Sequence, residues 1–223
     1  MIHLAGPAEG AVARLLAALV ARGLVLAEGA APDFDGGSTL LLSTPVDWMK
    51  LGVRFAPWRV ARAARVVVVS RVGAHPDAVS AGLRDLWRLE EYARVSAVPT
   101  LTLRLAPLVG RESPFWRQLA SRPKLRDEAR AVLMPVLETD ALAALDRVLQ
   151  KPDANEGWYE VVGPEARSLE EWAELAAASG TAPGGSWEPE LAELAEHRLS
   201  EPALWQERFH LKAHSVVQWA RGA

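Results

Sequence analysis

Short apolar runs along the chain alternate with stretches whose apolar residues recur every three or four positions. Ile2 to Ala5 is the first run, and Val12, Leu15, Leu16, Leu19 and Val20 follow at helical spacing, which predicts a strand, a turn and an amphipathic helix. Leu24 to Ala27 and Thr39 to Ser43 read as two further strands, parted by the loop-like stretch EGAAPDFDGG. Val46 to Phe55 has helical character up to the break at Pro57. Arg65 to Ser70, RVVVVS, is apolar at successive positions and therefore predicts a strand covered on both faces, as at the centre of a parallel sheet. A helix is expected from about Ala78 to Val95 with Asp77 as its cap, then a strand within TLTLRLAPL from Thr100.

Beyond Gly110 the pattern loosens. Arg111 to Arg130 carries many charges and two prolines, which fits an excursion beside a cleft or an ordinary surface connection. Leu133 to Leu137 is a short strand candidate, Asp140 to Leu149 a helix with Leu142, Leu145, Val148 and Leu149 inward, and Trp158 to Val162 another strand. Ser168-Leu169-Glu170-Glu171 is a capping-box sequence opening a helix to Ala178. TAPGGSWEPE is linker-like, and the segment from Glu190 reads as two short helices.

Strand and helix alternate throughout, which predicts an α/β fold: a reduced Rossmann-like parallel sheet flanked by helices, with a small C-terminal helical part. The expected organisation is one α/β domain over residues 1–178 with a helical extension over 179–223 packed on it. Half of the 223 residues are apolar, enough to bury a sizeable core. A net charge of -3 leaves no basic footprint for nucleic acid. The absence of cysteine excludes disulfides, thiolate catalysis and cysteine-ligated metals. The first apolar stretch is interrupted by Gly6, Pro7, Glu9 and Arg14, so neither a signal peptide nor a membrane span is expected and a cytoplasmic location is the default.

The turn after the first strand reads Gly6-Pro7-Ala8-Glu9-Gly10-Ala11-Val12-Ala13. In a dinucleotide-binding βαβ unit such glycines let the backbone approach a pyrophosphate held by helix N-terminal amides. Glu9 opposes that use unless it points away, and a plain strand-turn-helix explains the residues nearly as well. The four valines of RVVVVS are followed by Ser70, and His75 lies in the loop beyond, at the strand end where ligands bind in such sheets. Ser70 has two readings, a catalytic hydroxyl or a strand-end serine bonded to backbone. His210 and His214 are spaced i, i+4, so a helix would offer two metal ligands, yet no third is evident. Nine tryptophans fit core packing or, for Trp205 and Trp219 beside Phe209, an exposed partner surface.

The succession VVVVSRVGAHPD, LRDLWRLEEYARVSAVPTLTLRLAPLVG, VLMPVLETDALAALDRVL and GWYEVVGPEARSLEEWAEL resembles the NAD-dependent epimerase/dehydratase group of extended and atypical short-chain dehydrogenases, including NmrA-like proteins. The resemblance runs from Met1 to about Ala178 and implies NAD or NADP as cofactor. Gly6, Gly10 and Ala11 would lie at the phosphates, and Ser43, Thr44 and Pro45, in Leu41-Leu42-Ser43-Thr44-Pro45, would pass under the nicotinamide. The chain departs from the group where chemistry is done. Tyr92 and Tyr159 are followed four residues later by Ser96 and Gly163, so no Tyr-x-x-x-Lys pair exists, and Gly82 and Leu86 take its places. From Leu24 to Ser43 there are too few residues for the two crossovers of the group, since a βαβ unit takes roughly 30. These departures favour a non-catalytic regulatory, scaffold or interaction protein with weak or no NAD(P) binding and a second copy or another protein as partner. The alternative is an NAD(P)-dependent oxidoreductase or epimerase using Ser70, His75 or Thr44 in place of the missing pair.

Overall fold

A computed structural model of the chain describes residues 2–5, 10–24, 26–28, 39–43, 64–95, 98–121, 130–150, 156–184, 194 and 198–222. In chain order the elements are β1 (Ile2–Ala5), α1 (Gly10–Ala21), β2 (Leu26–Glu28), β3 (Thr39–Leu42) and β4 (Arg65–Arg71). There follow α2 (Ala81–Arg94), β5 (Thr100–Leu105), β6 (Leu108–Val109), α3 (Pro114–Ala120), β7 (Val132–Leu133) and β8 (Val136–Leu137). The chain closes with α4 (Glu138–Gln150), β9 (Gly157–Val161), β10 (Arg167–Ser168), α5 (Leu169–Ala178), α6 (Pro202–Phe209) and α7 (Val216–Gly222).

Six strands form one parallel sheet in the order β2-β1-β3-β4-β5-β9. The expected α/β class and parallel sheet are therefore present. β4 sits inside the sheet, and every residue from Arg65 to Ser70 is buried, as its unbroken apolar run requires. On one face α1, α4 and α6 close a core that holds Leu15, Leu16, Leu19, Val67, Val69, Leu101, Leu103, Leu145, Val148, Trp205 and Phe209. The opposite face of β4 and β5 is covered by α2. A second core joins α3, α5 and α7, where Trp116 meets Trp172 and Trp219 edge-to-face at 6.5 and 5.9 Å between ring centroids; such pairs add to plain burial.

Several expectations change in detail. Val20 is 48% exposed and outside the α1 stripe, because its position on the helix falls on the solvent side of Leu16 and Leu19. Asp77 does not cap α2: its backbone N–H donates to His75 Nδ1, and the helix starts later with the Ser80 hydroxyl accepting from the Leu83 amide. The stretch Leu133 to Leu137 is two strands. Pro135, with no N–H to give, parts β7, which pairs antiparallel with β10, from β8, which pairs parallel with β6. Arg111 to Arg130 is not wholly an excursion, since it contains α3, whose Trp116 is fully buried; residues 122–129 lie outside the described ones, as does the expected helix Val46 to Phe55.

The tryptophans answer the choice between core and surface. Trp205 and Trp172 are buried, and their indoles donate to the Val162 and Leu133 carbonyls; Phe209 is buried against Tyr159. Trp205 and Phe209 are therefore core and Trp219 is partly buried against Trp116, because α6 and α7 lay their apolar sides on the sheet and on α3. Among the described tryptophans Trp158, on β9, is the exposed one at 63%, with the Arg104 guanidinium 5.0 Å from its ring centroid.

Polar ties hold the layers in register. Arg104 on β5 lies between Glu90 of α2 and Glu160 of β9, at 2.7 and 3.5 Å. Burial works to lower its pKa, but the hydrogen bonds and charges of Glu90 and Glu160 prevail and raise it. Arg65, buried at the start of β4, donates to Thr39 Oγ1 and to the Leu149 carbonyl near the end of α4. The capping box forms as its sequence predicts: the Glu171 amide donates to Ser168 Oγ, while the Ser168 amide and hydroxyl donate to the Glu171 carboxylate.

Two outcomes follow. Glu90→Ala leaves Arg104 with Glu160 as its carboxylate partner at 3.5 Å and should destabilise the fold by about 2–4 kcal/mol, whereas Asp85→Ala, which removes the exposed pair with Arg88, should cost under about 0.5 kcal/mol; urea unfolding of both variants measures the contrast. The Ser168 amide, then the Ser168 hydroxyl, hold the Glu171 carboxyl below its ordinary pKa. A lowered carboxylate stabilises the fold above its unfolded pKa and loses that contribution as pH falls through the folded value. Carboxyl NMR should give Glu171 a pKa below that of an ordinary glutamate, and the first turn of α5 should lose amide protection on acidification through it.

Candidate functional site

In a parallel sheet the strand ends that precede the helices lie along one edge, and ligands bind in the crevice there. Here that carboxyl edge is set by the register Ala5 opposite Leu42, Leu42 opposite Val68, and Ser70 opposite Arg104. Ser43 follows β3 directly, so Ser43 and Ser70 stand on neighbouring strands at the same edge. Gly10 opens α1, with Ala11 as its next residue. Gly6, Thr44 and Pro45 lie outside the described residues. β2 is the outer strand of the described sheet, in keeping with a shortened passage between β2 and β3.

Ser70 is 2% exposed, and its hydroxyl has no hydrogen-bond partner among the described residues. The reading of a strand-end serine bonded to backbone is thus overturned: the strand continues in regular register through Arg71, so the neighbouring backbone groups are committed to the ladder. A buried orphan hydroxyl is costly and rare.

His75 takes the other direction. Its side chain is 63% exposed in the turn after β4, where Nδ1 accepts from the Asp77 amide and lies 3.8 Å from the Asp77 carboxylate. The turn, with Gly73 at φ 93°, carries the ring out to solvent.

The first turns of the helix that follows β4 carry neither a tyrosine nor a lysine. Leu86 is buried with Ala74, Ala78 and Leu83, and the partly buried Trp87 packs on them; Gly82 offers no side chain. Tyr92 is near the far end of the 14-residue α2, about 15 Å along the axis from its first turn at 1.5 Å per residue. Tyr159 stacks edge-to-face on Phe209 within the opposite core, at 5.2 Å.

One charged pair at this end has no local signature. Arg14 of α1 reaches Glu138, the first residue of α4, through Nη2 at 2.7 Å and Nε at 3.2 Å. Gly110, just past β6, leaves room for that carboxylate, since a Cβ there would lie 2.5 Å from Glu138 Oε2. The partners are 124 residues apart, and only the shared face of α1 and α4 brings them together.

His210 and His214 do not form a helical pair. His210 ends α6 in the left-handed region at φ 54°, and the backbone is irregular from 211 to 215. His214 instead engages Asp140, its Nδ1 and its amide each 2.7 Å from a carboxylate oxygen. Among the described residues no group of three or more His, Asp or Glu is placed to hold a metal ion.

Comparison with known proteins defines the class through the fold. Neither a protein-family model nor a curated protein matches the chain. Solved structures match over nearly its full length. A nucleoside-diphosphate-sugar epimerase from Staphylococcus aureus aligns with a TM-score of 0.70 and 13% identity, covering 99% of this chain and 99% of that one. The Citrobacter sp. triphenylmethane reductase, complexed with NADP(H), gives 0.69 and 16% over 100% and 99%. The Bordetella bronchiseptica enzyme WbmG, in complex with NAD and UDP, gives 0.65 and 15% over 99% and 92%. The chain therefore has the Rossmann-type fold of these epimerases and reductases, the fold that its sequence motifs resemble. No helix among the described residues is long and apolar enough to cross a membrane.

Because the Ser70 hydroxyl gains no hydrogen bond from the described residues around it, Ser70→Ala should leave stability unchanged or raise it by up to about 1 kcal/mol. Thermal and urea unfolding of the variant would show a loss above that margin if the hydroxyl were in fact bonded.

Proposed function

We propose that this protein works by binding at the carboxyl edge of its sheet, as a regulatory or scaffold protein of the epimerase/reductase fold, and does not carry out tyrosine-dependent hydride chemistry. The observation that carries the reading is the start of α2. Buried Leu86 and Gly82 stand there, while both tyrosines lie elsewhere. Proton transfer to a carbonyl or hydroxyl needs a donor within hydrogen-bond reach of the reacting atom, and Gly82 and Leu86 supply none. The solvent-turned His75 is no substitute.

In this reading NAD or NADP binds weakly. Solved structures of this fold hold NAD or NADP(H), and α1 still begins at the end of β1, where its first amides and its dipole favour an anion. The shortened passage between β2 and β3 takes away the part of the fold that would surround the adenosine. A second copy or another protein is the proposed partner, and the net charge of -3 argues against nucleic acid.

A second reading has one observation in its favour. The orphan hydroxyl of Ser70 lies near the end of the central strand, where a bound ligand could accept its hydrogen bond. An NAD(P)-dependent oxidoreductase or epimerase using that hydroxyl without the Tyr-Lys pair would place it so.

Titration with NADH and NADPH, followed by energy transfer from the tryptophans to the reduced nicotinamide and by calorimetry, separates the readings. The binding reading expects saturable association with Kd of roughly 100 μM or weaker, a free energy of no more than about −5.5 kcal/mol, and no turnover over a panel of carbonyl and nucleotide-sugar substrates. Turnover lost in Ser70→Ala would replace it with the enzymatic reading. Absence of binding at millimolar dinucleotide would leave a Rossmann-derived scaffold and remove the cofactor from the proposal.

A further inference from the structure

A buried arginine crosses the carboxyl end of the central strand. Arg198 is 7% exposed, although its neighbour Leu199 is 60% exposed. Its amide donates to the Val132 carbonyl at 2.9 Å, and its backbone bridges Leu133 in parallel. Its side chain passes over Gly73, and Nη1 donates to the Val72 carbonyl at 2.9 Å. Two residues on, the Ser200 amide lies 3.5 Å from Met134 Sδ. The segment 198–200 is thus stitched at one side to β7 and the Met134 turn, and at the other to the residues that follow β4.

Gly73 is required on two counts. Its φ of 93° is one that L side chains rarely adopt, and a Cβ there would lie 2.9 Å from Arg198 Nε. The turn has therefore been left bare where the guanidinium lies.

Ordinary burial would have turned this segment the other way, with leucine inside and arginine out. Taking a guanidinium out of water is expensive, and apolar replacements of buried ionic groups are often at least as stable. A cover that served stability alone would bury Leu199. A polar bolt instead forms and breaks as a unit, because its hydrogen bonds are directional and water replaces them once the segment lifts.

We infer that residues 198–200 form a strap, held closed by Arg198 across the end of β4, which must part before a ligand reaches the crevice past Val72 and Gly73. The inference rests on the reading above that this edge is the binding edge. In the closed state the protein holds its own cover in place, and ligand affinity is reduced by the fraction of molecules that are open.

Arg198 is itself a trypsin site, so the strap can be tested without any ligand. Under native conditions the Arg198–Leu199 bond should resist trypsin, because its arginine is buried although its leucine is exposed. Gly73→Ala, whose methyl group displaces the guanidinium, should speed this cut by at least roughly tenfold, since native-state cleavage follows the open population. Gly23→Ala is the control for backbone strain: Gly23 has φ 95° with nothing within 4 Å of the place a methyl group would take, and its variant should be cut at this bond at the wild-type rate. Mass spectrometry of the 198/199 cut reads all three proteins. Should Gly73→Ala fail to fold, Arg198→Ala keeps the turn intact and should speed amide exchange across 198–200 while α5 stays protected. The strap is overturned if wild type is cut there as fast as denatured chain, if Gly73→Ala and Gly23→Ala behave alike, or if Arg198→Ala leaves exchange unchanged. None of these readouts involves a dinucleotide, so a failure of NADH and NADPH to bind would overturn the cofactor reading alone, and a failure of the strap would leave dinucleotide binding untouched.

Discussion

β4 has no face that tolerates water. Val66 to Val69 are buried on both sides of the sheet, and a strand of that kind is stable only with neighbours on both edges and helices on both faces. β3 and β5 supply the edges. The α1, α4 and α6 layer supplies one face and α2 the other. β4 therefore takes an inner place in the sheet, with β1 and β2 beyond β3 and with β9 beyond β5. Its last residues, Ser70 and Arg71, then fall at the edge where a ligand would approach.

Enclosure by apolar packing leaves register and layer spacing to polar groups. Arg104 fastens α2 and β9 to β5 through Glu90 and Glu160, Arg65 ties the start of β4 to the end of α4, and Arg14 clasps α1 to α4 through Glu138. The end of the chain is held in the same way. Asp140 binds the His214 amide and ring, and the Glu165 carboxylate accepts from the Ser215 hydroxyl and the Val216 amide, which seats α7 against Trp116. Each tie joins residues too far apart in sequence for chain connectivity to align them.

The carboxyl edge of the sheet combines a Rossmann-type platform with a sequence that lacks a Tyr-x-x-x-Lys pair. A Rossmann sheet needs only its strand ends and the first helix to attract an anion, whereas hydride transfer with proton uptake needs a placed donor. β1, α1 and β4 have the layout of that fold, and the resemblance puts Gly82 and Leu86, neither of which carries an ionisable group, at the places of the tyrosine and the lysine. Ser70, whose hydroxyl has no partner among the described residues, and Arg198, which donates to the Val72 carbonyl, both lie at the end of β4.

Much of this was written in local pattern. The four valines of β4, the helically spaced leucines of α1 and α4, and the capping box of α5 announce themselves because each depends on neighbours within a few residues, and together they defined the α/β class. The lack of a Tyr-x-x-x-Lys pair was equally legible, being a statement about spacing. What only the tertiary structure decided are matters of distant contact. Pro135 splits a strand because β7 and β8 have different partners, Ser70 has no hydrogen-bond partner among the described residues because the ladder uses up the backbone around it, and Trp205 is core because α6 folds back on the sheet. Arg198 is the plainest case: hydropathy sends an arginine to water and the adjoining leucine inside, and only the bare turn at Gly73, 125 positions earlier in the chain, gives the guanidinium a buried place to lie.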